Sequence, residues 1–311
     1  MTNFLHAQRG IMLALLVAIA PAVGIGPAAG AEPAAKDTLA TTVEQARAGK
    51  PDALYTLAML GMAGKLGKQE PKDVVNLLEQ AAAKGHTEAA FVLGTMHLKG
   101  WNMPVDAAKA ARYYDQAARK GHAGAQNALG RLAYEGKGVP KDTAKAAKLL
   151  RSAADQGLTA AQANLGLMYI KGDGVGKNAA QGRELMRKAA DKGMPEAQYN
   201  MAVMYHLGEG VSPDMSSAVR WYNLAAEAGD PRAQEALGVL YATGKGVATD
   251  PAEAMKWLMI AATTADPAVR DSAREKIKVL APAVGSNAVS AGGQAAKLWL
   301  TKQQWQAPQK P

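Results

Sequence analysis

Beyond the first thirty-one residues the chain holds four histidines, His86, His97, His122 and His206. Imidazole is the commonest metal ligand, but a site needs two or three ligands at short, fixed spacing. No H-E-x-x-H run and no histidine–carboxylate cluster occurs. His86 and His122 fall on successive copies of a repeat, with two helices between them, too far apart to share an ion. The four therefore read as solvated loop or groove histidines. Gly172-Asp173-Gly174-Val175-Gly176-Lys177 has the outline of a phosphate loop. Lys171 stands where such a loop needs its first glycine, and no strand precedes it, so it reads as a turn. There is no G-x-S-x-G elbow. There is also no cysteine, which removes thiolate metal sites, iron–sulfur clusters, disulfides and cysteine nucleophiles together. The expectation is a chain without catalytic residues, metal or cofactor.

What remains is the chemistry of contact, and a strict internal period positions it. Gly49, Gly85, Gly121, Gly157, Gly193 and Gly229 recur every 36 residues. Ala53, Ala89, Ala125, Ala161, Ala197 and Ala233 keep the same register, as do Gly64, Gly100, Gly136, Gly172, Gly208 and Gly244. In the third copy Ala125, Leu129, Leu132 and Ala133 form a helical stripe. Gly136 ends that helix in the left-handed conformation that costs glycine nothing, and Gly138 supplies a second turn position. Asp142 restarts a helix as N-cap, with Ala146, Leu149, Leu150 and Ala153 on one face. In the sixth copy Asp250, Pro251 and Glu253 read as a capping box. Each copy is a two-helix hairpin that can bury its apolar stripes only against its neighbours. Gln126, Gln162, Gln198 and Gln234 recur beside the buried alanine, which predicts a repeated hydrogen bond between hairpins. Gly182 replaces the usual alanine of a second helix and should weaken the fourth copy by about 1 kcal/mol. The first copy, with Leu66-Gly67 in place of Gly-Val, should have an altered turn, and Asn102 should preserve the second.

The full pattern stands best as Ala197-Gln198, Met201, Tyr205, Gly208, Gly210-Val211, Asp214, Ala218, Trp221, Ala225-Ala226 and Gly229. It recurs as Ala233-Gln234, Leu237-Gly238, Tyr241, Gly244, Gly246-Val247, Asp250, Ala254, Trp257 and Ala261-Ala262. It resembles the Sel1-like repeat, a relative of the tetratricopeptide repeat. The resemblance covers 49–265 and implies an all-α fold, a right-handed α-solenoid of six hairpins at 49–84, 85–120, 121–156, 157–192, 193–228 and 229–265. A linker and short helix at 32–48 would cap one end. Helices within 266–303, starting at Asp266-Pro267 and broken before a last helix at 287–303, would cap the other, and 304–311 is a tail.

The resemblance also implies adaptors or regulators that hold other proteins, with the first helices lining a concave side. By phase that face carries Tyr55 and Met59, then Phe91 and Leu98, then Arg131 and Tyr134. It continues with Leu167 and Ile170, then Tyr199, Val203 and His206, then Glu235. These are the expected partner-binding residues. Apolar and aromatic side chains on a face without a partner hairpin mark an interaction surface, with Arg131, His206 and Glu235 setting register on a bound peptide or helix.

The destination is read from the first thirty-one residues. Arg9 precedes an apolar run from Ile11 to Ala20, then Pro21, and Ala29-Gly30-Ala31 resembles a signal cleavage site. The expectation is a signal peptide cut between Ala31 and Glu32, or kept as an anchor, and a periplasmic or secreted protein with no stable membrane span once the signal is removed. Its partners would be envelope proteins or membrane-protein ectodomains. Net charge is +9, carried mostly by lysines of second helices and turns. An exported chain argues against nucleic acid, and acidic proteins or anionic envelope polymers remain compatible. The alternative function is an enzyme, or an enzyme's activator, acting on cell-wall polymer.

Overall fold

In a computed structural model the described residues are 32–67, 70–101 and 103–306, with side chains from 39 to 303. The expected signal segment, Asn102 and most of the tail lie outside them. Every regular element among them is helical: α1 Glu32–Arg47, α2 Pro51–Met62, α3 Pro71–Ala83, α4 Thr87–Lys99, α5 Ala107–Arg119, α6 Ala123–Glu135, α7 Thr143–Asp155, α8 Thr159–Lys171, α9 Ala179–Asp191, α10 Pro195–Leu207, α11 Met215–Glu227, α12 Pro231–Thr243, α13 Pro251–Ala261 and α14 Pro267–Gln306. α14 is two helices joined at Gly285, whose φ of 81° breaks the helical path. The chain divides after Ala153 into two compact units. The first unit contains α1 through most of α7 and the second runs from the end of α7 to α14.

The expected punctuation is present. Gly100, Gly136, Gly172, Gly208 and Gly244 end the first helices with φ between 71° and 81°. In the first copy Gly67 takes φ 73°, so the turn's second left-handed residue moves one place along and the turn survives. Asp106, Asp142, Asn178, Asp214 and Asp250 each accept a backbone N–H in the first turn of a second helix, worth about 1 kcal/mol apiece. The backbone N–H of each of these caps also donates to a carbonyl near the end of the preceding helix, as from Asp250 to Tyr241 at 3.0 Å. That bond displaces the expected capping box, because the Glu253 carboxylate instead takes the Lys256 ammonium at 3.0 Å.

The glutamine ladder is also realised. Nε2 of Gln126, Gln162, Gln198 and Gln234 donates to the carbonyls of Ala118, Ala154, Ala190 and Ala226. Each carbonyl belongs to the last turn of the preceding second helix and has no partner within that helix. The second copy carries Ala90 at this phase, and there Gln116 from α5 bonds the Ala82 carbonyl at 2.6 Å instead.

Gly182 is a correction. A Cβ there would lie 2.6 Å from the Gly166 carbonyl oxygen and 2.7 Å from Ile170, and one on Gly166 would lie 2.8 Å from the Gly182 carbonyl oxygen. The two glycines let α8 and α9 approach backbone to backbone. Whatever helix propensity Gly182 costs, alanine in its place would be opposed by that contact.

Candidate partner-binding faces

The first helices place one row of side chains, Tyr55, Phe91, Tyr199 and Glu235, toward the start of the next repeat. His86 and His122 are the N-caps of α4 and α6, their Nδ1 atoms accepting from Ala89 N at 3.1 Å and Ala125 N at 3.0 Å. Because Nδ1 accepts, the ring proton sits on Nε2. In His122 that nitrogen meets Glu88 Oε2 at 3.0 Å, and in His86 it faces Asp52 at 3.5 Å. The imidazoles stack on the row itself. Tyr55 lies 4.4 Å from His86 and Phe91 4.4 Å from His122, each nearly parallel. Burial, followed by the nearby Glu88 carboxylate, pushes the Tyr55 phenol up to about 12. Burial likewise holds the His86 imidazole below its ordinary pKa, outweighing Asp52 and Glu88.

These two histidines are therefore half-buried in the seams between repeats rather than free in solvent. His97 is buried as well, stacked on Tyr113 at 5.6 Å with neither ring nitrogen bonded, and burial together with Lys109 lowers its pKa. His206 is half-buried, its Nδ1 3.3 Å from the Tyr222 hydroxyl.

In the second unit the same row meets different chemistry. Tyr199 packs against Tyr222 and lies under the Arg232 guanidinium, 4.2 Å from the ring centre. Arg232 is gripped at 2.6 Å by Asp230, the buried cap of α12. Glu235 receives Ser272 at 2.5 Å and Lys276 at 2.7 Å from α14. The row thus has mates in its own chain, contrary to the expectation of unpartnered groove residues. In the first unit the positions follow a spacing that nothing local in the sequence announces: Tyr55 and Phe91 each meet the histidine cap 31 positions on, His86 and His122.

The other expected residues lie one and two turns further along the first helices. In the first unit Met59, Leu98 and Tyr134 are half-buried, and Arg131 is exposed, 3.7 Å from Glu135. In the second unit Leu167, Ile170 and Val203 line a cavity of about 380 Å³ with Asn200 and Glu209. Tyr199, His206 and Glu235 line another of about 280 Å³ with Arg232 and Lys276. All six residues expected for this unit therefore border one of two openings along α10. Asn200 and Arg232, which the sequence reading did not name, supply polar groups beside the apolar walls.

Among the described residues no group of three or more histidines and carboxylates could hold a metal ion. No described helix is long and apolar enough to cross a membrane.

The Sel1 repeat family matches six consecutive segments, 51–86, 87–122, 123–158, 159–194, 195–230 and 231–263. The chain belongs to the Sel1 repeat family. Sel1 repeats are a protein-interaction scaffold type, typically non-catalytic. One similar structure is c5321, a protective antigen of uropathogenic Escherichia coli strains displaying an SLR fold. It is 28% identical with a TM-score of 0.68, covering 86% of this chain and 64% of that one. This Sel1-repeat chain thus spans just under two thirds of that protein. A Sel1 repeat protein from Oxalobacter formigenes is 32% identical with a TM-score of 0.62, covering 69% of this chain and 88% of that one. No curated protein matches the chain.

Proposed function

We propose that this Sel1-repeat protein is an exported, non-enzymatic adaptor or regulator that holds a segment of an envelope protein on the first-helix faces of its repeats. The observation that carries the reading is the pair of cavities along α10, bordered by all six residues that the repeat phase assigns to the second unit's face. The larger has the size of a small ligand site, and its lining sets an apolar wall beside Asn200, Glu209, Lys171 and Lys177, a mixture that suits side chains and main chain of a bound peptide. Leu167, Ile170 and Val203 form its greasy wall, and the Asn200 amide supplies a donor and an acceptor for a peptide main chain. In the first unit Leu98, Tyr134 and Met59 offer the corresponding face, with Arg131 at its rim. Tyr55, Phe91 and Tyr199 act in part as cement between repeats, so they support the site more than they fill it.

The export reading rests on the cationic start, the Ile11–Ala20 apolar run and the Ala29-Gly30-Ala31 site. N-terminal sequencing of the protein recovered from cell fractions checks it, with Glu32 as the expected first residue.

Selection from a displayed peptide library tests the binding reading. The wild-type chain enriches peptides with spaced apolar residues, and Ile170→Glu with Val203→Glu abolishes the enrichment while helicity is kept. Equal enrichment by the double variant overturns it.

A further inference from the structure

We infer that the second-helix side of the first unit is a second binding surface, one that takes an acidic polypeptide segment. It is separate from the first-helix face and does not depend on the role proposed for that face. A cavity of about 350 Å³ opens between α5 and α7, with Leu129 and Val139 in its floor and Arg112, Arg119 and Lys145 around it. Its single carboxylate, Asp115, is already taken by Arg119 at 2.6 Å. Arg112 and Lys145 are exposed, and their side chains make no hydrogen bond or ion pair among the described residues. Lys148 stands one turn beyond Lys145 on the same helix and adds a further exposed cation.

Two cations left without counter-ions beside a concavity attract negative charge, and the planar arginine fork matches a carboxylate in two-point contact. The floor distinguishes the class of ligand. It is built from alanine, leucine and valine, with no aromatic ring on which a nucleobase could stack. A purely ionic polymer would leave that floor unused. A peptide whose glutamates flank a leucine satisfies both parts, carboxylates on Arg112 and Lys145 and the aliphatic side chain on Val139 and Ala108, above the buried Leu129.

The test uses the full mature chain and a fluorescein-labelled Glu-Glu-Leu-Glu-Glu peptide, followed by fluorescence polarisation. Saturable binding is expected, weakened at least tenfold between 50 and 300 mM salt because the contacts are exposed ion pairs. Replacing the leucine of the peptide with serine should weaken it at least threefold. Arg112→Glu with Lys145→Glu should weaken it at least tenfold with the melting curve unchanged, and Arg112→Gln with Lys145→Gln serves if the reversal disturbs folding. Lys245→Glu with Lys278→Glu, the same charge change in the second unit, should leave binding within twofold. Absence of saturable binding overturns the proposal, as does an equal loss in the control pair. Displacement by sodium polyphosphate with no dependence on the leucine would also overturn it, in favour of a general polyanion surface.

Discussion

In the first unit Tyr55 and Phe91 rest on the imidazoles of His86 and His122, and each imidazole caps the next helix. In the second unit Tyr199 rests on Arg232, which the capping Asp230 holds, and Glu235 is tied to α14 through Ser272 and Lys276. One position in the repeat thus takes different partners in the two units, stacked rings at Tyr55 and Phe91 and charged groups at Tyr199 and Glu235. The second unit also contains the Gly166–Gly182 backbone approach, for which the first has no counterpart, since Ala110 and Ala146 stand at the phase of Gly182. A repeat's register is dictated by small residues and caps, and the chemistry of its seams is free to drift.

The largest expected effect breaks the glycine contact. Gly182→Val should cost about 3 kcal/mol, because its branched side chain meets the Gly166 carbonyl and Ile170. Hydrogen exchange should rise in α8 and α9 while amides of α4 to α6 keep their protection. Next, Asp230→Ala removes the cap and strands Arg232, and should cost about 2 kcal/mol by denaturant titration. Loosening of Tyr199 should accompany it. Smaller still, Gln198→Ala removes one of the bonds on the Ala190 carbonyl, which keeps the Gly193 N–H at 2.9 Å, and should cost about 1 kcal/mol.

The mildest prediction concerns acid. The pKa values of His86 and His97 are lowered in the fold, so between those values and the ordinary 6.5 the unfolded chain binds more protons. Their contribution is fully present above pH 6.5 and lost as pH falls below it. Protonation of His86 would also put a hydrogen on Nδ1 and end its acceptance from Ala89. His86→Asn keeps a cap that does not titrate. The pH dependence of melting between pH 7 and 5 should flatten in that variant, whereas Lys50→Asn, at the corresponding start of α2, should leave the slope unchanged.

Fold and repeat register were legible because glycine, alanine and cap residues report backbone requirements directly. Gly136 must end a helix, Asp214 must begin one, and the glutamine ladder announced a bond that the structure contains. The seams were harder to read. Tyr55 and Phe91 stand where a free face would stand, and nothing local marks His86 or His122 as their mates. The pairing becomes visible only when positions 31 apart are compared. Likewise Gly182 looks like a defect by helix propensity and is a contact in three dimensions. Leu167, Ile170 and Val203 share one face by phase, and the cavity along α10 opens on that face.

The most direct test of the interaction role is photocrosslinking inside the cell, with benzoylphenylalanine placed at Val203 and, in a separate strain, at Leu224, an exposed residue of α11. The account predicts a discrete adduct from Val203 that maps to an apolar peptide segment of an envelope protein, is lost on adding Ile170→Glu, and is absent from Leu224. The same adducts from both positions, or none from Val203 in cells where the protein is folded and abundant, would contradict it.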